Sequence, residues 1–105
     1  MKTIWKYSLE ARHINKIMMP KGSEILRFSH QDDNICFWAI LDTEKSLEER
    51  TFAVFATGQD IGEQDWIYLD TVQIKLPKNH LLTELVWHIF EIPNVEKRAL
   101  NDQPR

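Results

Sequence analysis

The feature that most constrains this chain is strict alternation of apolar and polar side chains in short runs. In residues 3–9, Ile4, Lys6 and Ser8 project to one side and Trp5, Tyr7 and Leu9 to the other. A strand has a side-chain period of two, so this pattern gives it one oily face, whereas on a helix the same residues would scatter around the axis. With the aromatic side turned inward, the segment reads as a half-buried strand. Similar β-rich runs occupy residues 15–19, 23–29, 35–41, 50–57, 66–76 and 81–92. Turn signals separate several of them: Met19-Pro20-Lys21-Gly22, the polar hairpin tip His30-Gln31-Asp32-Asp33-Asn34, a second hairpin loop over 58–64, and Pro77-Lys78-Asn79. Pro presets φ and removes a donor, Gly supplies positive φ, and Asn and Asp tolerate the left-handed region. Strands at this spacing predict an all-β fold, a compact β-sandwich or small barrel of about seven antiparallel strands.

Individual runs carry further expectations. Residues 35–41 are apolar on both faces, as in a strand covered on both sides. The polar connection 42–49 has room for a single helical turn. In 66–76 the apolar phase changes midway, from Ile67 and Leu69 to Val72 and Ile74, which calls for a bend or bulge. Residues 81–92 also fit helical spacing, but Val86-Trp87-His88-Ile89-Phe90 is β-branched and aromatic and Pro93 ends it, so a strand is expected. Beyond Pro93, residues 94–100 suit a short capped helix. The organisation expected is one β domain over 1–92 and a tail or short helix over 93–105.

A 105-residue chain supports one core. Its 43% hydrophobic content, with four Trp and five Phe, is that of a globular protein, not a disordered one. Cys36 is the single cysteine, so no internal disulfide can form; within Ile35-Cys36-Phe37-Trp38 it reads as a small buried hydrophobe in a reduced, cytoplasmic protein. The N-terminus lacks a signal-peptide core, and no run approaches the roughly 20 apolar residues of a membrane helix, so no membrane association is expected. The net charge is −3, and residues 42–70 alone carry −6, which leaves +3 for the remainder. A net acidic chain argues against nonspecific nucleic-acid binding, whereas its acidic middle suits a basic protein surface.

The residues do not assemble a catalytic constellation. His13, His30, His80 and His88 lack metal-ligand spacing, His30 with Asp32 and Asp33 reads as a solvated hairpin tip, and the loop from Gly58 lacks the ligand pattern of a calcium site. No nucleophile elbow or phosphate loop is present, and nothing fixes the distance between Glu84 and Glu91. The expectation is a non-enzymatic protein with no cofactor and no metal. His88, beside Val86 and Phe90, reads as a core histidine bonded to backbone; Trp38 and Trp87 read as core. Trp66, following an acidic loop, reads as an exposed contact anchor. Asp60, Glu63, Asp65, Trp66 and Tyr68 therefore form the candidate partner-binding surface, and an exposed edge strand allows a homodimer.

Met1-Lys2-Thr3-Ile4-Trp5-Lys6-Tyr7, then Met19-Pro20-Lys21-Gly22 followed by Ile25-Leu26, resembles a family of small bacteriophage proteins of unknown function. The resemblance continues through Phe37-Trp38-Ala39, Arg50-Thr51-Phe52, Thr57-Gly58 and Trp87-His88-Ile89-Phe90-Glu91, covering most of residues 1–91. Ser8 stands where the family has Pro, and Gln59 where it has His, which weakens any shared role for a histidine in that loop. The resemblance implies a phage or prophage origin and a binding module directed at a host or phage protein, including host antiviral defence. Two alternatives are a small-molecule binder, a sponge for a nucleotide signal using Trp66, Tyr68 and Lys75, and a minor virion component.

Overall fold

The computed structural model describes residues 1–77 and 84–93. Seven strands run in chain order: β1 (Lys2–Leu9), β2 (Ile14–Pro20), β3 (Glu24–Gln31), β4 (Asn34–Asp42), β5 (Leu47–Ala56), β6 (Ile67–Lys75) and β7 (Glu84–Ile92). They form two antiparallel sheets, β1-β4-β3 and β2-β5-β7-β6, packed face to face as an open β-sandwich and not a closed barrel. The all-β reading holds, and the described residues include no helix. Connections β1–β2, β2–β3 and β4–β5 pass from one sheet to the other. The inner face of each sheet is therefore filled by strands distant in sequence.

Alternation decides which side chains meet between the sheets. Leu9 on β1, Ile35, Phe37 and Ala39 on β4 and Phe28 on β3 face Met19 on β2, Phe52 and Val54 on β5, Trp87 and Ile89 on β7 and Val72 and Ile74 on β6, all buried. Phe37 joins the layers: its ring centroid lies 5.2 Å from those of Tyr7, Phe28 and Phe52. Phe52 and Phe37 are completely buried, so each contributes the roughly 2–3 kcal/mol of a fully desolvated aromatic side chain.

Several local expectations are met and others are corrected. The His30–Asn34 tip closes the β3–β4 hairpin, with Asp32 in the left-handed region at φ 55°. The phase change in 66–76 is a bulge between Tyr68 and Asp70, which lets Leu69 and then Val72 and Ile74 turn towards the core. The 42–49 connection is a tight turn with no helical turn, because β5 already begins at Leu47 and the Lys45 N–H closes on the Asp42 carbonyl at 3.2 Å. Trp38 is not core: it sits on the outer face of β4, half-buried, and Trp5 is 43% exposed on edge strand β1. Gly58–Gln64 does not close a hairpin, since β7 lies between β5 and β6. Residues 78–83 and 94–105, holding the Lys78-Asn79 turn, the expected start of the last strand and the proposed C-terminal helix, lie outside the described residues.

One ion pair crosses from β5 to β7. Arg50 donates from Nε and Nη2 to the two Glu91 carboxylate oxygens at 2.7 and 2.8 Å and from Nη1 to the Ser23 carbonyl at 2.8 Å. Both side chains are under one-fifth exposed. The Glu91 hydrogen bonds hold the Arg50 guanidinium above its ordinary pKa, so the charge persists wherever the protein is folded. Glu91 is thereby engaged, and it stands seven residues, roughly 23 Å of extended strand, from Glu84. The two glutamates do not form a carboxylate pair.

Two measurements check this packing. Arg50→Met or Glu91→Leu alone strands a half-buried charge and is expected to cost on the order of 2–3 kcal/mol in urea unfolding, with much of the loss restored in the double variant. The Tyr7 hydroxyl is buried without a hydrogen-bond partner among the described residues, and burial raises its pKa above 10.0. The folded state thus resists ionisation more than the unfolded chain: stability is unaffected below pH 10 and falls as pH rises through the folded pKa. Tyr7→Phe keeps the stack on Phe37, removes the orphan hydroxyl, and is expected to be as stable or up to ~1 kcal/mol more stable, with a shallower alkaline decline.

Candidate functional site

Because Trp87 and Ile89 point into the core, the intervening His88 and Phe90 must point to the outer face of the four-stranded sheet. There the register aligns Phe55 on β5, His88 on β7 and Thr71 on β6 in one row, and Ala53, Phe90 and Tyr68 in the next. Four aromatic rings meet on this surface. Phe55 contacts Trp66 edge-on at 5.7 Å and Phe90 at 5.7 Å, and Phe90 contacts Tyr68 edge-on at 5.6 Å. Edge-to-face geometry suits the ring quadrupole and holds each ring in one orientation.

The 57–66 connection folds back over the sheet and explains why Phe55, an outer-face residue, is only 8% exposed. Gln59 binds its own base, accepting the Ala56 N–H through its side-chain oxygen at 3.0 Å and donating its N–H to the Ala56 carbonyl at 3.1 Å. Gly58 and Gly62 take φ of +87° and +73°, values costly for a residue with a Cβ. The Asp60 carboxylate accepts the Gly62 N–H at 2.8 Å, and the Trp66 indole N–H reaches the Ile61 carbonyl at 3.0 Å. Trp66 is therefore a half-buried clamp that pins the connection to Phe55, not the exposed anchor expected.

Beside the rings runs a polar relay. The His88 Nε2 lies 2.7 Å from the Thr57 hydroxyl and its Nδ1 3.1 Å from the Thr71 hydroxyl, which in turn lies 2.7 Å from the Tyr68 hydroxyl. A neutral imidazole donates from one nitrogen and accepts at the other, so each hydroxyl can complete the chain in either direction. His88 is half-exposed and bonded to side chains, which corrects the expectation of a core histidine bonded to backbone. Chemically the relay can pass a proton between hydroxyls and fixes the Tyr68 ring, 56% exposed, at the surface.

Of the five residues proposed from sequence, Trp66 and Tyr68 join one aromatic surface, while Asp60, Glu63 and Asp65 are exposed along its bordering loop. Phe55, Phe90, His88, Thr57 and Thr71 were missed. The available signal was the alternation in β7: once Trp87 and Ile89 are assigned inward, His88 and Phe90 follow outward. Lys75 lies at the far end of β6, seven residues or roughly 23 Å of strand from Tyr68, so Trp66, Tyr68 and Lys75 do not converge on one ligand. No group of three or more His, Cys, Asp or Glu side chains among the described residues is arranged to hold a metal ion. Cys36 is buried and forms no disulfide within the chain, and no helix among the described residues is long and apolar enough to cross a membrane.

A family model described as a domain of unknown function (DUF7352) matches residues 1–99. The chain belongs to this family. The match takes in all seven strands and continues six residues past Pro93, further than the resemblance over 1–91. Comparison with curated proteins and with solved structures gave no match.

Trp66→Ala removes the clamp, and is expected to cost about 1–3 kcal/mol in urea unfolding while exposing Phe55. A change below 0.5 kcal/mol, roughly the ceiling for a substitution that touches nothing, would mean that the connection is not held by this ring.

Proposed function

We propose that this protein is a non-catalytic binding module whose working surface is the outer face of the β5-β7-β6 region together with the acidic 57–66 connection. One observation carries the reading: Tyr68, supported by Phe90 and fixed through Thr71 and His88, is more than half exposed, and Glu63 and Asp65 are exposed on the connection that leads into its strand. A rigid aromatic side chain offers large contact area at small entropic cost, and tyrosine is enriched among residues that dominate interfaces. The acidic border suits a partner with a basic rim, where complementary charge speeds association.

The resemblance to small phage proteins supports a partner among host or phage proteins of the infected cell's cytoplasm, with a component of antiviral defence as the specific candidate. In this reading the module acts by occupying its partner's surface. The nucleotide-sponge alternative has less support, because Trp66 precedes β6, Tyr68 and Lys75 stand at opposite ends of it, and none of the three lines either of two concavities of about 220 and 260 Å³.

Capture of tagged protein from host cells during infection, with bound proteins identified by mass, tests the assignment. The Tyr68→Ala, Glu63→Lys variant is expected to lose the partner at least tenfold while keeping the far-ultraviolet circular dichroism of the folded parent. A partner retained equally by the variant overturns the surface assignment. A nucleotide that raises the melting temperature of the protein alone would favour the sponge, since tight ligands stabilise by mass action.

A further inference from the structure

The outer face of the three-stranded sheet differs in chemistry from the face just described. Register places Lys6 on β1 and Arg27 on β3 on either side of Trp38 on β4, in a single cross-strand row. Directly opposed side chains in such a row stand about 5 Å apart at Cβ. The β3 bulge between Ile25 and Arg27 sets this row: Ile25 pairs with Ala39 on the inner side, and the extra residue lets Arg27 pair with Trp38 outside. Trp38 is half-buried, and Lys6 and Arg27 are exposed. Neither cation makes an ion pair among the described residues; Lys6 donates to the Gln31 side-chain oxygen at 2.6 Å.

The next row towards the open end of the sheet is Ile4, Ile40 and Glu24. Beyond it lies a concavity of about 260 Å³ lined in part by Lys2, Lys21 and Lys45. Glu24 and Asp42 are the carboxylates here, and Asp42 is engaged by the N-terminal ammonium at 3.2 Å and the Glu44 N–H at 3.0 Å. Lys2, Lys6, Lys21, Arg27 and Lys45 thus outnumber the acids on this side, although the whole chain carries −3. Net charge argues against nucleic acid only when charge is evenly spread, and here it is segregated by face.

We propose that this face binds single-stranded nucleic acid, with a base stacked on Trp38 and the flanking phosphates on Lys6 and Arg27 and, further along, on the lysines of the concavity. The combination of a π-face and cations in one row suits an unstacked base and its backbone. An exposed ring stacks only on a base that is itself unstacked, and a duplex keeps its bases stacked on one another, which favours the single strand.

Anisotropy of a fluorescein-labelled oligo(U) 12-mer, titrated with the full chain at low salt, tests this. Binding is expected, with affinity falling linearly against log salt by about 0.7 per phosphate neutralised. Lys6→Glu with Arg27→Glu is expected to weaken binding at least tenfold and flatten the salt slope; both residues are exposed, so the fold is retained. Trp38→Ala is expected to weaken it about 5- to 150-fold, the range of a lost stacking contact. If that variant does not fold, Trp38→Leu and the charge-reversed protein carry the test. Tyr68→Ala, on the opposite face, should bind as the parent does. Absence of binding at low salt, indifference to the Lys6 and Arg27 reversals, or displacement of the oligonucleotide by an equal charge concentration of poly-glutamate overturns the proposal; the last would assign the face to acidic peptides.

Discussion

The Phe37 ring is the contact on which the rest of the sandwich depends. It lies on the central strand of the smaller sheet, stacks on Tyr7 from one neighbouring strand, tilts against Phe28 from the other, and meets Phe52 of the opposing sheet at 5.2 Å. A sheet with one oily face gains nothing until that face is covered, and Phe37 against Phe52 is where the two faces first share a boundary. Everything placed outward is placed by consequence: once Phe37 and Ala39 point in, Trp38 points out, and once Trp87 and Ile89 point in, His88 and Phe90 point out.

The two outer faces therefore follow from one interior, yet they differ in kind. One carries interlocked aromatic rings, a hydroxyl–imidazole relay and an acidic border; the other carries a lone Trp between two cations. The border of the first is acidic and the row of the second is basic, so the two faces present opposite charge to the solvent. A single net charge for the chain averages over both and describes neither. The Arg50–Glu91 pair belongs to the interior problem instead: it joins β5 to β7 where both strands leave the apolar core, and its fork geometry satisfies both carboxylate oxygens.

Much of the fold was legible because strand formation is a local property. All seven strands, the β3–β4 hairpin and the β6 bulge follow from alternation, turn residues and one visible phase change. The candidate site was legible only in part. Trp66 and Tyr68 fall on the aromatic surface, but Trp66 serves as a clamp, because the 57–66 connection folds back onto Phe55 instead of closing a hairpin. The β5–β6 path could not be read from sequence, since β7 inserts between those strands from further along the chain. His88 was misread for a related reason: alternation separates two faces of a strand but does not label which one is inside, and both faces of β7 are rich in apolar side chains.

By itself the sequence determined that this chain makes short strands, that each has a preferred oily side, and where most of them turn, because those depend on φ/ψ preferences and on side-chain period within a few residues. Only the tertiary structure decided strand order, which side of β4 and β7 is covered, and that Arg50 meets Glu91 across 41 positions. These depend on contacts between segments far apart in the chain, whose energies exist only after the sheets have come together.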